Sequence, residues 1–536
     1  MGQPMAGSAG SSAATSYIPE FGWRTLIGCL GVLLAVHVAG FNEHVTEIGL
    51  SDIQGGMGLN HDQGTWMTTW YEGFNIASMA FTPWFYMTFS LYRFTIFMTA
   101  MMGLLAIPAP FMPDMTSLGI LRALQGLSAG CLPPILMTTM LKYLPLPYKI
   151  LGIGGYAMSA TFGPNLAGPL EAMWFEHAGW KWLYWEIVPL CAVAIGMVAY
   201  GIPRDPINLS RFRTFNWVGL LLGFPSIVSL VIVLFQGDRL DWFRSPLITN
   251  LTFGGGFMFI MFLVNEFFHK APFFRIQFWA QRNIVCGLLT LVAVLVLCAV
   301  LPDVTATYLE EVRGYRELQT APLSLLVAVP QLVILPLIAL VCREQWFDCR
   351  WFLGLGMVCM ALSAYFGVSM TPDWVRENFY LIQALQTFGE PLAVVPVLMY
   401  CTMSLSAADG PFISGMVNSM KGMANAVGAA LFVTLMRRRE QYHSTMLLDH
   451  NGNNATALHG VGNPIASQLS TMTADQGQLT SNVLSVFHSY IREQSLVLSL
   501  SDINYAMMWL AVAIVIMNLF LPTRIYPPKA PAAGTA

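Results

Sequence analysis

Residues 284–307 read IVCGLLTLVAVLVLCAVLPDVTAT, and from Ile284 to Leu301 no side chain carries a charge. A run of this length and apolarity matches the roughly 20 residues that a helix needs to cross the ~30 Å hydrocarbon core of a bilayer. Working outward from it, comparable runs recur along the whole chain. They lie near 25–49, 64–87, 94–112, 116–141, 150–173, 182–201, 216–235, 247–268, 321–341, 351–369, 378–401, 411–436 and 503–521, giving about fourteen in all. Two are weak by hydropathy because they hold acids: Glu43 and Glu47 in the first, Glu72 in the second.

Composition agrees. The chain has 536 residues, of which 55% are hydrophobic and only 10% charged. Soluble domains carry about a quarter charged residues, so a water-soluble globule and a disordered chain are both excluded. A net charge of −3 offers no basic surface for a nucleic-acid partner. The nine cysteines lie in or beside apolar runs and not in the one long polar segment, so they read as packing residues and not as disulfides. No Cys/His cluster has zinc spacing, and no Walker A, HExxH, GxSxG or dinucleotide fingerprint occurs, so neither a metal site nor an enzyme is expected.

Residues 1–19 form a Gly/Ser/Ala-rich tail without the basic start of a signal peptide. Short loops that alternate along the chain differ in basic content. Arg93, Lys142, Lys149, Arg204, Arg211, Arg213, Lys270, Arg275, Arg282, Arg343 and Arg350 fall on the side of the N-terminus. The positive-inside rule therefore predicts cytoplasmic N and C termini. Segment 437–502 then lies outside. It begins with Arg437, Arg438 and Arg439, is rich in Asn, Ser and Thr, and ends in an amphipathic stretch near 483–500.

Several segments form a set. DQGTW (62–66) enters span two; LRALQGLSAG (121–130) lies in span four; GPNLAG (163–168) lies in span five, followed by GWKWLYWEIVP (179–189). Later come GDRLDWF (237–243), YLEEVRGYRELQTA (308–321) and NSMKGMANAVGAALFVTLMRRREQYH (418–443). In order and spacing this set resembles the fourteen-span drug:proton antiporters of the major facilitator superfamily, the EmrB/QacA type. Arg122, Gln125 and Gly126 fit its RxxQG motif, and Gly163, Pro164 and Gly168 its antiporter motif. There are departures. The span-one Asp of the family is Asn42 here, the Asn of its WRW motif is Ile187, and its charged loop motif between spans two and three has become apolar over 83–93, with Met87 and Thr88 at the ionic positions. A partial counterpart, Asp348 and Arg350, stands in the second half.

The resemblance implies an all-α integral membrane fold. Two six-helix bundles (20–203 and 280–526) flank a pair of linker helices (204–279), and 527–536 is a second cytoplasmic tail. It implies a bacterial inner-membrane exporter of amphipathic toxic compounds that uses a proton gradient and no cofactor. A periplasmic membrane-fusion adaptor and an outer-membrane channel are its expected partners beyond the small-molecule substrate and the lipid bilayer. Export of one specific metabolite or siderophore, or a sensor or scaffold built on the same fold, stays open from the residues alone.

Charged residues within spans supply the candidate sites. Glu43, His44, Glu47 and His37 fall within about 120° of one face of span one. Each acid costs on the order of 2.5–3.5 kcal/mol if it faces lipid at the bilayer centre. With Glu72 they read either as proton carriers facing a cavity or, if span one ends near Gly40, as interfacial anchors. His44, three residues from Glu47, is placed to exchange a proton with it. Arg122 needs a buried acid or carbonyl oxygens, and the acids of span one are its expected partners. Pro164 and the glycines around it predict a bend in span five. Glu390 and Lys421 are expected either to pair with each other or, for Glu390, to attract a cationic substrate. Trp70, Asn75 and Gln386 complete the expected cavity lining.

Overall fold

The computed structural model describes residues 22–48, 50–145, 148–344, 346–402, 409–452 and 476–519, and no strand occurs among them. The first half contains α1 (Trp23–Ile48), α2 (Leu50–Met57), α3 (His61–Phe89), α4 (Leu91–Ala106), α5 (Met115–Gly130), α6 (Leu132–Tyr143), α7 (Lys149–Met158), α8 (Phe162–Ala178), α9 (Trp182–Trp185) and α10 (Ile187–Gly201). Next come the linker helices α11 (Trp217–Gly237) and α12 (Pro246–Phe268). The second half contains α13 (Arg282–Thr307), α14 (Glu317–Cys342), α15 (Arg350–Val368), α16 (Tyr380–Thr402), α17 (Gly410–Gly452) and α18 (Gln476–Leu519).

Among the described residues, twelve helical segments are long and apolar enough to cross a membrane. The two remaining apolar runs of the sequence are α3, which holds Asp62 and Glu72, and span five, which is broken into α7 and α8. Proline punctuation explains two of the broken spans. Pro133 and Pro134 open α6 directly after α5, and Pro164 sits in the first turn of α8, where its missing N–H is no loss. The start of α3 is fixed by a reciprocal cap: the Gln63 amide donates to Asn60 Oδ1 at 2.8 Å, and the Asn60 amide donates to Gln63 Oε1 at 3.0 Å.

Helices in lipid gain little from hydrophobic burial against one another, so close approach at small residues carries the packing. A Cβ on Gly28 would lie 2.6 Å from the backbone of Gly201, which brings α1 against α10. A Cβ on Gly126 would lie 2.1 Å from the Tyr71 carbonyl oxygen, so the RxxQG glycine is what lets α5 lie on α3.

The altered loop motif at 83–93 has a structural replacement. Only Ser90, at φ +79, separates α3 from α4. In place of an ionic latch, Trp84 stacks edge-on against Phe215 (4.3 Å) and Phe212 (4.9 Å) of the segment leading into α11. The Asn208 amide donates to the Thr88 carbonyl at 2.9 Å. Aromatic packing thus ties the first bundle to the linker pair. In the second half Asp348 and Arg350 form the ion pair that the first half lacks, with Arg350 Nε donating at 3.0 Å.

Helix enters segment 437–502 from both sides. At 43 residues, α17 is about 65 Å long, roughly twice what the hydrocarbon core requires. The stretch read from sequence as a separate amphipathic helix is continuous with the last span in α18. His443 of α17 meets Asp502 of α18 at 2.6 Å, and Arg437 pairs with Asp241 of the linker turn at 2.8 Å. Residues 453–475 lie outside the described residues.

Candidate functional site: the cavity between the halves

A cavity of about 500 Å³ lies between the two halves, walled by α1, α3, α8, α13, α14, α16 and α17. Glu43, His44, Glu72 and Asn75 line it from the first half, with Gly163, Pro164 and Gly168 of the antiporter motif. Glu390 and Lys421 line it from the second. It extends toward the ends of α1 and α13, where Thr307, Glu310 and Glu317 also border it. Toward the opposite end it is closed by a seam between α17 and the first half. There Tyr156 Oη donates to Asn418 Oδ1 at 2.8 Å, and Ser414 Oγ donates to the Pro134 carbonyl at 2.6 Å.

Helix α1 runs straight through Gly40 to Ile48, so Glu43 and His44 stay on a regular helix and face the cavity. The Glu47 side chain lies outside the described residues. Glu72 accepts from Asn75 Nδ2 at 3.4 Å, one turn along α3.

Arg122 is fully buried and stands behind this wall. Its Nη1 donates to Gln125 Oε1 at 2.9 Å and to both oxygens of Asn42 at 3.3 Å, while Nη2 donates to the Asn42 carbonyl. The guanidinium lies 4.3 Å from the centre of the Tyr71 ring. Tyr71 in turn sits within electrostatic reach of Glu43 and Glu72, and its hydroxyl donates to the Ala39 carbonyl at 3.2 Å. The position that holds an acid in the resembled family therefore still meets the arginine, as an amide.

The two charges of the second half do not pair with each other. Lys421 Nζ donates to the Ser159 carbonyl at 3.1 Å and lies 3.3 Å from Ser159 Oγ. Glu390 is 1% exposed; it accepts from Gln331 Nε2 at 2.8 Å and from Asn165 Nδ2 at 3.4 Å. The Lys421–Ser159 and Glu390–Asn165 contacts both reach into span five, on either side of its break. The C-terminal end of a helix presents free carbonyls and a partial negative charge, and the N-terminal end the reverse. Lys421 meets the end of α7 and Glu390 meets the first turns of α8, so each charge faces the helix end of opposite sign.

Two expected lining residues lie elsewhere. Trp70 stacks on Trp66 at 5.8 Å and on Phe74 at 6.4 Å, in the aromatic cluster shared with the linker helices. Gln386 is buried between α15 and α16, donating to Ser363 Oγ at 3.2 Å. Conversely, Tyr71, Ser159, Asn165 and Asn418 make contacts that the sequence reading did not single out, although Asn165 stands inside the GPNLAG motif. Among the described residues no group of His, Cys, Asp and Glu could hold a metal ion.

The Major Facilitator Superfamily profile matches residues 32–431. The chain is 22% identical to the multidrug export protein EmrB of Escherichia coli (strain K12) over 528 residues, covering 96% of this chain and 98% of that one. It is 24% identical to the fatty acid resistance protein FarB of Neisseria gonorrhoeae, covering 90% and 92%. In fold it is similar to the proton:xylose symporter XylE, with a TM-score of 0.51 at 11% identity over 93% of this chain and 95% of that one. It is likewise similar to the human organic anion transporter MFSD10, with a TM-score of 0.52 at 8% identity over 91% and 99%. Helical architecture, motif order and these likenesses agree: the chain is a multi-pass membrane protein that belongs to the major facilitator superfamily of transporters.

Proposed function

We propose that the protein is a proton-coupled exporter of amphipathic toxic compounds, residing in the bacterial inner membrane with both termini cytoplasmic. One observation carries the reading: acids on α1 and α3 line a cavity between the halves beside a buried arginine, and a hydrogen bond joins α7 to α17 at one end of it. With cytoplasmic termini, the end bordered by Glu310 and Glu317 faces outward and the Tyr156–Asn418 seam lies on the inner side. Protons arriving from outside neutralise Glu43, Glu47 or Glu72 as substrate leaves. The protonated wall then favours the inward-open state, where proton release and substrate loading follow. A proton falling through ~150 mV supplies ~3.5 kcal/mol, enough for a concentration ratio of a few hundredfold. The multidrug export name of a relative aligned over nearly its full length supports the substrate class.

The test is the double variant Glu43→Gln, Glu47→Gln in proteoliposomes with an imposed pH gradient. Proton-driven efflux should be abolished while substrate binding persists; full efflux in this variant refutes the reading. The same reading puts a periplasmic adaptor on segment 437–502, which comprises the helical overhang of α17 and α18 and the residues that join them. Removing residues 453–475 should leave both helices and insertion intact and weaken co-purification with an adaptor. If the intact protein alone confers full resistance and captures no adaptor, it works by itself.

A further inference from the structure

A second cavity, of about 530 Å³, opens between α1, α8 and α10 on the flank of the first bundle. Its lining is apolar, supplied by one face of α1 from Leu30 to Phe41 and by Phe162, Leu166 and Leu170 at four-residue spacing on α8. Residues beside it point away from the protein: Leu30 is 43% exposed and Val193 54%, so the mouth faces the surrounding bilayer. From Leu30 to Phe41 the groove is about 16 Å long, the depth of one leaflet of a ~30 Å core.

Its polarity is confined to two groups. Glu186, only 7% exposed, lines the groove, and its Oε1 finds no donor among the described residues. Because α10 runs antiparallel to α1 from the Gly28–Gly201 contact, Glu186 stands at the Phe41 end, level with the last turns of α1. Trp174 lines that same end and stacks on Trp182 at 5.8 Å, the aromatic pairing typical of a membrane interface. The other polar group, His37, is equally buried and lies midway. Its ring packs on Phe162 at 5.5 Å and lines both this groove and the central cavity, so it forms the wall between them.

An apolar channel one leaflet deep, open to lipid, with an acid lacking a donor at its interfacial end, has the shape and charge of a lipid complement. A buried carboxylate needs a cation that also donates hydrogen bonds. We propose that this groove binds one acyl chain of a phospholipid with a primary-ammonium head group, whose ammonium donates to Glu186. A choline head carries the same charge and no N–H, so it satisfies the electrostatics but not the missing bond.

Native mass spectrometry of the purified full-length protein, offered phosphatidylethanolamine and phosphatidylcholine of matched chains, tests this directly. The expected result is retention of the ethanolamine lipid about tenfold over the choline lipid, the scale of one charge-assisted hydrogen bond. Retention should fall stepwise through the mono- and dimethyl head groups, a comparison that needs no variant. Glu186→Gln should bring the two lipids level. Equal retention by the native protein, or an undiminished preference in Glu186→Gln, overturns the proposal. So does displacement of the lipid by a transported amphiphile at the concentration that saturates transport, because the groove would then belong to substrate.

Discussion

Arg122→Lys is the sharpest test of the arginine cluster. It keeps the charge and removes the planar fork. Arg122 spreads two terminal nitrogens over Asn42 and Gln125, and its central carbon lies 4.3 Å from the centre of the Tyr71 ring. An ammonium on the same helix is a point donor: it keeps one strong contact and weakens the contact with the ring. The three Asn42 bonds are each 3.3 Å long, at the weak end of the range, so two lost bonds are worth about 1 kcal/mol each. Weakening a desolvated cation–π contact adds about 1 kcal/mol. The sum, about 3 kcal/mol, corresponds to a fall of roughly a hundredfold where the cluster must hold its geometry for coupling. The assay is the initial rate of substrate efflux from proteoliposomes under a fixed pH gradient, with substrate binding measured in parallel. Efflux should drop by that factor with binding nearly unchanged. Adding Asn42→Asp should recover at least tenfold, because a carboxylate pairs with a point charge where an amide does not. Lysine-variant efflux within threefold of the native protein, with the same dependence on the gradient, refutes the reasoning.

Two further expectations rest on single contacts. Lys421→Met should reduce transport at least tenfold without lowering the melting temperature. Among the described residues that ammonium meets the Ser159 oxygens and no acid within ion-pair distance, and burying a charge without an ionic partner carries a desolvation cost that methionine does not. A lower melting temperature with normal transport would make it a structural residue. Trp84→Ala should cost about 3 kcal/mol, the low end for a buried aromatic, and show as earlier unfolding in a detergent melt. An unchanged melt would mean that the aromatic tie to the linker pair holds nothing.

The spans were legible because hydropathy needs no tertiary information. Lipid selects apolar side chains all around a helix, so length alone marks each crossing. The same property hides which face looks inward. Trp70 and Asn75 are five residues apart on one helix, yet Asn75 lines the cavity and Trp70 packs toward the linker helices. Five residues set them about 140° apart on the helix, and nothing in a uniformly apolar pattern tells which of the two faces looks inward. Outside the membrane the signal fails differently. Polar residues after Arg437 read as loop because hydropathy reports lipid and not helix, and α17 continues through them to Gly452. For charges within spans, the cost of lipid exposure correctly implied burial but could not supply partners. Arg122 was expected on a buried acid or on carbonyl oxygens, and the Asn42 carbonyl is among the partners it meets. Its contacts with Asn42 depend on α5 lying tight against α3, a geometry set by Gly126, 84 positions away from Asn42.

The failure of Glu390 and Lys421 to pair exposes a mechanical link. On α17, Asn418 and Lys421 are one turn apart, and on span five so are Tyr156 and Ser159. The Asn418–Tyr156 bond that closes the cavity and the Lys421–Ser159 bond that lines it are therefore consecutive rungs between the same two elements. Opening the closed end requires α17 to leave α7, and this cannot happen without taking Lys421 off the carbonyl end of that helix. On the far side of the break, Glu390 holds α8 through Asn165, so the same motion loads the second charge. An anion or a proton that reaches the depth of the cavity would compete for these two groups. Proline in span five is then more than a kink. By ending one helix and starting another inside the membrane, it creates a negative and a positive helix end, each held by a charge from the opposite half. What occupies the cavity and which end is shut are thereby set by the same contacts.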